Sequence, residues 1–181
     1  DIDIGGNALG AHDLTTVTVA ANTADIDLGT TANGFGSDFT SFKTLDVSSV
    51  VTHVNVDASE ANFHQAAGQF VTYEIGATQD GTNAVDVDFI ANAAREVFSF
   101  VGRDMGEVEL NGFTAGNDPL TGDRIDLSHF NIHSAGELIF TDVGGDLVIT
   151  DLGGNDFSGS ITLVGLAGQA TDVSAFNIIY A

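Results

Sequence analysis

Acidic residues recur at every second position inside short aliphatic runs, which restricts the chain to folds that tolerate rows of like charge. Ala24-Asp25-Ile26-Asp27-Leu28, Val85-Asp86-Val87-Asp88-Phe89, Glu107-Val108-Glu109-Leu110 and Arg124-Ile125-Asp126-Leu127 all carry the pattern. Residues two apart on a strand share a face, so each run sets carboxylates on one side and aliphatic groups on the other. Neighbouring strands lie about 4.8 Å apart, where two unit charges repel by about 0.9 kcal/mol even at the dielectric of water. The chain has 26 acids and four bases (Lys43, Arg95, Arg103 and Arg124), a net charge of −22. Its compact state therefore calls for counter-ions, and a hard divalent cation with oxygen ligands, Ca²⁺ above all, suits carboxylates.

The same charge excludes a nucleic-acid binder working through phosphate contacts and disfavours docking on anionic lipid. It does not imply disorder, because 13 Phe and a hydrophobic content of 43% over 181 residues are enough for a core. With no cysteine, neither a disulfide framework nor a thiolate metal site is available, and the compartment stays undecided on that ground. No apolar run approaches 18 residues, so no membrane-inserted helix is expected. The sequence starts at Asp1 without Met or a basic-then-apolar leader. This is expected of a fragment, a processed product or a protein exported without an N-terminal signal.

Gly, Asp, Asn, Ser and Thr punctuate the sequence at intervals of about ten residues, leaving short β-branched or aromatic segments between them. Strands are predicted at Leu14–Val19, Ala24–Leu28, Lys43–Val47, Thr52–Val56, Phe70–Ile75, Ala84–Phe89 and Glu96–Val101. Further strands are predicted at Glu107–Leu110, Arg124–Leu127, Glu137–Thr141, Asp146–Thr150, Ser160–Val164 and Phe176–Tyr180. Helix is scarce: Ser59–Gly68 reads as one short helix and Phe89–Ala94 as another turn. Leu45-Asp46-Val47 and Val54-Asn55-Val56 lie nine residues apart, which suits half a coil of a parallel β-roll. The fold expected is all-β: an irregular parallel β-roll or β-solenoid with antiparallel capping strands, or alternatively a β-sandwich. A soft boundary near residues 90–95 separates a Thr-, Ala- and Asp-rich region (1–94) from a region punctuated by Gly-Asn-Asp and Gly-Gly-Asp (95–181). With no linker between them, the two regions read as one continuous stack.

Within 95–181, Val108-Glu109-Leu110-Asn111-Gly112-Phe113-Thr114-Ala115-Gly116-Asn117-Asp118 leads through Pro119-Leu120-Thr121 into Gly122-Asp123-Arg124-Ile125-Asp126-Leu127-Ser128-His129-Phe130. This stretch resembles the region following the calcium-binding repeats of RTX-type proteins exported by type I secretion, such as serralysin-like proteases, adhesins and surface-layer proteins. Gly144-Gly145-Asp146-Leu147-Val148-Ile149 resembles a further rung, and Ile161-Thr162-Leu163-Val164-Gly165-Leu166 a strand near such C-termini. Asp172–Ala181 is similar to the acid-then-apolar tail of uncleaved secretion signals. The chain departs from the family in lacking intact Gly-Gly-x-Gly-x-Asp nonapeptides and in carrying the Pro119–Thr121 insertion. The resemblance implies a secreted protein, at the cell surface or outside the cell, that binds calcium.

The residue chemistry leads to the same cation independently. Asp118, Asp123, Asp126, Asp142, Asp146, Asp151, Asn155 and Asp156 lie at or beside Gly-rich turns, where carbonyls and carboxylates can converge on Ca²⁺. Asp, Asn and Gly are also the ordinary residues of tight turns. The alternating runs add Asp25, Asp27, Asp86 and Asp88 as candidate ligands.

Catalysis is not indicated. There is no His-Glu-x-x-His, Gly-x-Ser-x-Gly or Gly-x-x-x-x-Gly-Lys motif, and a sugar cleft would need more than two Tyr and no Trp. The five His residues are read as polar surface or turn residues. The expected protein is a non-enzymatic, calcium-stabilised structural component of a layer, fibre or adhesin that associates with itself or with the cell surface. The alternative is the non-catalytic calcium and secretion domain of a larger exported enzyme. A carbohydrate-binding β-sandwich is a third reading, opposed by the scarcity of Tyr and Trp.

Overall fold

Short β-branched segments ending at Gly- and Asp-rich turns favour strands, and in the computed structural model thirteen of them lie among the described residues. Those residues are 16–19, 26–28, 43–48, 54–57, 70–75, 87–90, 95–101, 104–116, 122–154, 156–168 and 177–181. In chain order the strands are β1 (Thr16–Thr18), β2 (Ile26–Leu28), β3 (Thr44–Asp46), β4 (Val54–Asp57), β5 (Val71–Ile75), β6 (Val87–Ile90) and β7 (Glu96–Phe100). They continue as β8 (Asp104–Asn111), β9 (Arg124–Asp126), β10 (Leu138–Val143), β11 (Asp146–Asp151), β12 (Ser158–Leu163) and β13 (Asn177–Ile179). Each lies in or overlaps one of the thirteen predicted segments. The predicted Ser59–Gly68 helix falls outside the described residues. The turn expected from Phe89 is corrected at its start, since Phe89 and Ile90 belong to β6 and pair with Leu110 and Asn111.

The strands form two sheets. One is six-stranded and wholly parallel, in the order β1-β3-β5-β7-β9-β13; the other is seven-stranded and mixed, in the order β10-β11-β12-β8-β6-β4-β2. From β1 to β9 the chain alternates between the sheets, odd-numbered strands in the first and even-numbered strands in the second. Leu45 in β3 and Val54 in β4, nine residues on, accordingly sit in opposite sheets. The antiparallel pairs are β10–β11 and β11–β12, gathered at one end of the second sheet. Both sheets run across residues 90–95, since β5 pairs with β7 and β6 with β8.

Alternation along each strand decides what is buried. Leu45, Tyr73, Phe98 and Ile125 occupy one register column of the parallel sheet, and all are buried. In the mixed sheet, Leu28, Val56, Leu110, Leu163 and Leu147 belong to one inner column, and Val108, Ile161 and Ile149 to another. Tyr73 stacks on Phe98 at 5.3 Å between ring centroids, and Phe98 meets Phe113 at 6.0 Å. Removing such apolar surface from water contributes about 25 cal/mol per Å², the main favourable term in folding.

Two glycine pairs shape the mixed sheet. Gly144 and Gly145 form the two-residue loop between β10 and β11, with φ of 66° and 113°. Tight hairpins need positive φ at both positions, which only Gly adopts without strain. Gly159 (φ 94°) lies where the β12–β8 register shifts, and any Cβ there would collide with the carbonyl of Gly106.

Candidate functional site

The alternating acids are brought side by side by the register. On the parallel sheet, Thr18, Asp46, Glu74, Ser99, Asp126 and Ile179 are successive neighbours in one column. On the mixed sheet the corresponding column runs Asp27, Asn55, Asp88, Glu109, Thr162. Asp46 is thus directly beside Glu74, and Asp88 beside Glu109, while Ser99 and Asn55 interrupt the rows. A neutral residue between two acids doubles their spacing to about 9.6 Å and so halves the repulsion.

Several carboxylates do local backbone work. The Oδ1 of Asp46 accepts hydrogen bonds from the Ser48 N–H (3.0 Å) and hydroxyl (2.5 Å), closing a turn at the end of β3. Asp126 repeats this at the end of β9, its Oδ1 accepting from the Ser128 N–H at 2.9 Å. Its Oδ2 accepts from the Ser99 hydroxyl at 3.4 Å. Thus Leu45-Asp46-Val47-Ser48 and Ile125-Asp126-Leu127-Ser128 are the same strand-to-turn unit used twice. Asp151 accepts from the N–H groups of Gly153 (3.0 Å) and Asp156 (2.9 Å). Asp146 accepts from the Gly165 N–H at 2.8 Å, tying the β10–β11 turn to the end of β12. Such side-chain-to-backbone bonds are what Asp supplies at turns.

Asp123 is different because it is inside, 1% exposed, together with Glu96 at 0%. Its Oδ1 accepts from the Glu96 N–H at 3.0 Å and its Oδ2 from the Thr114 N–H at 2.7 Å. With the Asp123 N–H donating to the Thr114 carbonyl at 3.0 Å, it clamps both ends of the 114–123 loop together and to β7. Burial pushes the Asp123 carboxyl up to about 6, against the opposing pull of the Thr114 and Glu96 N–H groups. The Tyr73 hydroxyl donates to Glu96 Oε1 at 2.9 Å. Burial, then the Glu96 charge and hydrogen bond, then Asp123 hold the Tyr73 phenol well above its usual value, so it remains a donor. Of this polar group only Asp123 was a candidate from the sequence; Glu96 and Tyr73 were not singled out. The available signal was Glu96 sharing a strand face with Phe98 and Phe100.

Of the other candidate ligands, Asp27 lies in β2 and Asp88 in β6, with only their register places described. Asp142 is exposed on β10, and Asp156 is half-buried before β12. Asp25, Asp86, Asp118 and Asn155 lie outside the described residues. Among the described residues, no three His, Asp or Glu side chains converge in a geometry that would hold a metal ion. The described acids therefore lie in rows and turns rather than in one cage. His129 and His133 are exposed, as expected of turn residues; His133 is near the C-terminus, its Nδ1 3.5 Å from the Ala181 carbonyl oxygen.

The basic residues are grouped as well. The guanidinium groups of Arg124 and Arg95 lie over the Phe70 ring at 4.1 and 5.3 Å from its centroid. This arrangement places two of the chain's four cations at the starts of β7 and β9, beside the start of β5, in the middle of the parallel sheet.

A scan against protein-family models and searches of curated proteins and solved structures return no match.

Proposed function

We propose that this chain is an extracellular, calcium-stabilised structural protein that associates with itself or with a cell surface as a layer, fibre or adhesin component. In this reading the alternating sheets are the coils of an irregular parallel β-roll, with β10–β12 as an antiparallel cap. The observation that carries it is the pair of acid rows, Asp46–Glu74 and Asp88–Glu109, set side by side by the strand register. Adjacent carboxylates on a chain of net charge −22 strongly favour a bound divalent cation over bare packing. The resemblance of residues 95–181 to RTX-type proteins supports export by type I secretion.

The mechanism is folding coupled to binding. At the low calcium of the cell interior, self-repulsion keeps the chain expanded and fit for export. Millimolar calcium outside neutralises the rows, and the free energy of binding becomes free energy of folding. The reading assigns no catalysis. Among the described residues the two buried carboxyls, Glu96 and Asp123, are out of reach of a substrate and engaged with Tyr73 and backbone N–H groups.

Circular dichroism in calcium and in chelator tests it. Strand signal in calcium and mostly coil in chelator at low salt is the expected result. High monovalent salt should restore only part of the signal, because screening lowers repulsion without coordinating oxygen. Identical spectra in calcium and in chelator would overturn the reading.

A further inference from the structure

We infer that Asn111 and Gly112 form a self-modification site, at which the Gly112 nitrogen converts Asn111 through a cyclic imide into aspartate and isoaspartate. The modification does not depend on the calcium reading; only its consequence for the acid rows rests on that reading.

The site lies where pairing stops. Asn111 is the last residue of β8, and its pairing with Ile90 is the last rung of the β6–β8 ladder. On the other side, the β12–β8 ladder ends one residue earlier, at Leu163 and Leu110. The Val164 N–H donates to the Leu110 carbonyl at 3.1 Å, so Leu110 turns its backbone polar groups toward β12. Alternation puts the Gly112 N–H on that same side, beyond the end of β12. Among the described residues, no hydrogen bond engages the Gly112 N–H or the Asn111 side-chain amide. Both residues are exposed, so water and hydroxide reach them.

The chemistry needs only water. The Gly112 nitrogen gives its proton to hydroxide and attacks Cγ of Asn111, closing a five-membered imide. The new N–Cγ bond replaces the Cγ–Nδ2 bond, and the amide nitrogen leaves as ammonia with a proton from water. A second water then opens the imide. Addition at Cγ restores the ordinary backbone with an aspartate side chain. Addition at the main-chain carbonyl carbon of Asn111 leaves the backbone running through Cγ, as isoaspartate. One water is consumed and one ammonia released, with no change of oxidation state.

Such an attack needs close approach of a backbone nitrogen, which a residue without Cβ allows. The other asparagines among the described residues precede Val56, Ile132 and Ile178, whose branched Cβ crowds the nitrogen. Asn33-Gly34, the second Asn-Gly pair of the sequence, lies outside the described residues.

Conversion changes an acid-bearing face. Glu107, Glu109 and Asn111 are exposed alternate residues of β8. A carboxylate at Asn111 lies about 6.6 Å along the strand from Glu109, on a chain already at net charge −22. In the calcium reading, an ageing molecule therefore needs more calcium. The isoaspartyl form also lengthens the main chain just before Phe113, which is buried and 6.0 Å from Phe98 between ring centroids.

The intact chain is incubated in calcium at mildly alkaline pH in heavy-oxygen water, then mapped by peptide mass spectrometry and enzymatic isoaspartate methylation. Asn111 should convert about tenfold or more faster than exposed Asn131, which precedes a branched residue. One heavy oxygen should be taken up, with isoaspartate among the products. Asn111→Gln alters only an exposed side chain, lacks the five-membered route and should abolish conversion at this position. Conversion of Asn111 no faster than of Asn131, or aspartate without isoaspartate, would overturn the inference. Asn111→Asp should widen the gap between melting in calcium and in chelator. Melting that ignores calcium in every form sinks the calcium reading alone, while the mass spectrum still decides the site.

Discussion

Glu96 shares the inner face of β7 with Phe98 and Phe100, and the structure accommodates its charge by aiming the Tyr73 hydroxyl at it. Tyr73→Phe removes that donor from a buried carboxyl and should cost about 1–3 kcal/mol in chemical denaturation. Asp123 gives the pH dependence. Its carboxyl is raised from 3.8 to about 6, so the folded chain holds this proton more tightly than the unfolded chain does. The stabilisation from this group is therefore complete below about pH 4 and is lost as pH rises through about 6. A shift of that size corresponds to about 3 kcal/mol across the window. Denaturation at pH 4, 5, 6 and 7, at fixed calcium, should contain a contribution from this group that falls with pH. Asp123→Asn should flatten the part of that slope due to this group, at the cost of one backbone hydrogen bond. At this scale the sequence was only partly legible. Asp123, Asp126 and Asp146 were all legible as acids beside Gly-rich turns and as candidate ligands. The burial of Asp123 and its two backbone N–H partners were not, because they depend on β7 and on Thr114 nine residues away.

At the scale of elements, all thirteen strands were legible, because alternation between aliphatic and polar residues depends on burial of one face alone. The spacing between paired strands was not. From Thr16 to Thr44 and from Thr44 to Thr72 is 28 residues each, but from Val87 to Val108 in the other sheet is only 21. Connections are free to vary while the paired residues stay in register, so a search for a short fixed period sees no repeat. The recurring Leu45-Asp46-Val47-Ser48 and Ile125-Asp126-Leu127-Ser128 units mark equivalent positions in β3 and β9. The β12–β8 seam carries a sharp prediction. Gly159→Ala forces a methyl group into the Gly106 carbonyl at a positive φ and should destabilise by about 2 kcal/mol or more. Gly144→Ala meets no atom within 4 Å and should cost only about 1–2 kcal/mol, for its φ alone. Thermal melts of the two variants check the difference.

Among the described residues, the whole molecule sets an apolar interior against strand columns rich in acidic residues. The interior columns form one buried cluster reaching from Leu28 and Leu45 to Ile161 and Leu163, spanning strands from both halves of the sequence. The columns through Asp46 and Glu74, and through Asp88 and Glu109, set acidic residues at paired register positions on neighbouring strands. Those rows are the reason for assigning a calcium-dependent compact state. Neutralising one acid in each row should reduce the requirement. Glu74→Gln/Asp88→Asn separates both adjacent pairs and should raise the melting temperature in chelator while narrowing the gap between calcium and chelator. Thermal unfolding of the unmodified chain, followed at the strand band in millimolar calcium and again after excess EDTA at low salt, tests the central claim most directly. The account predicts a cooperative transition with calcium and little folded signal without it; coincident melting curves would contradict it.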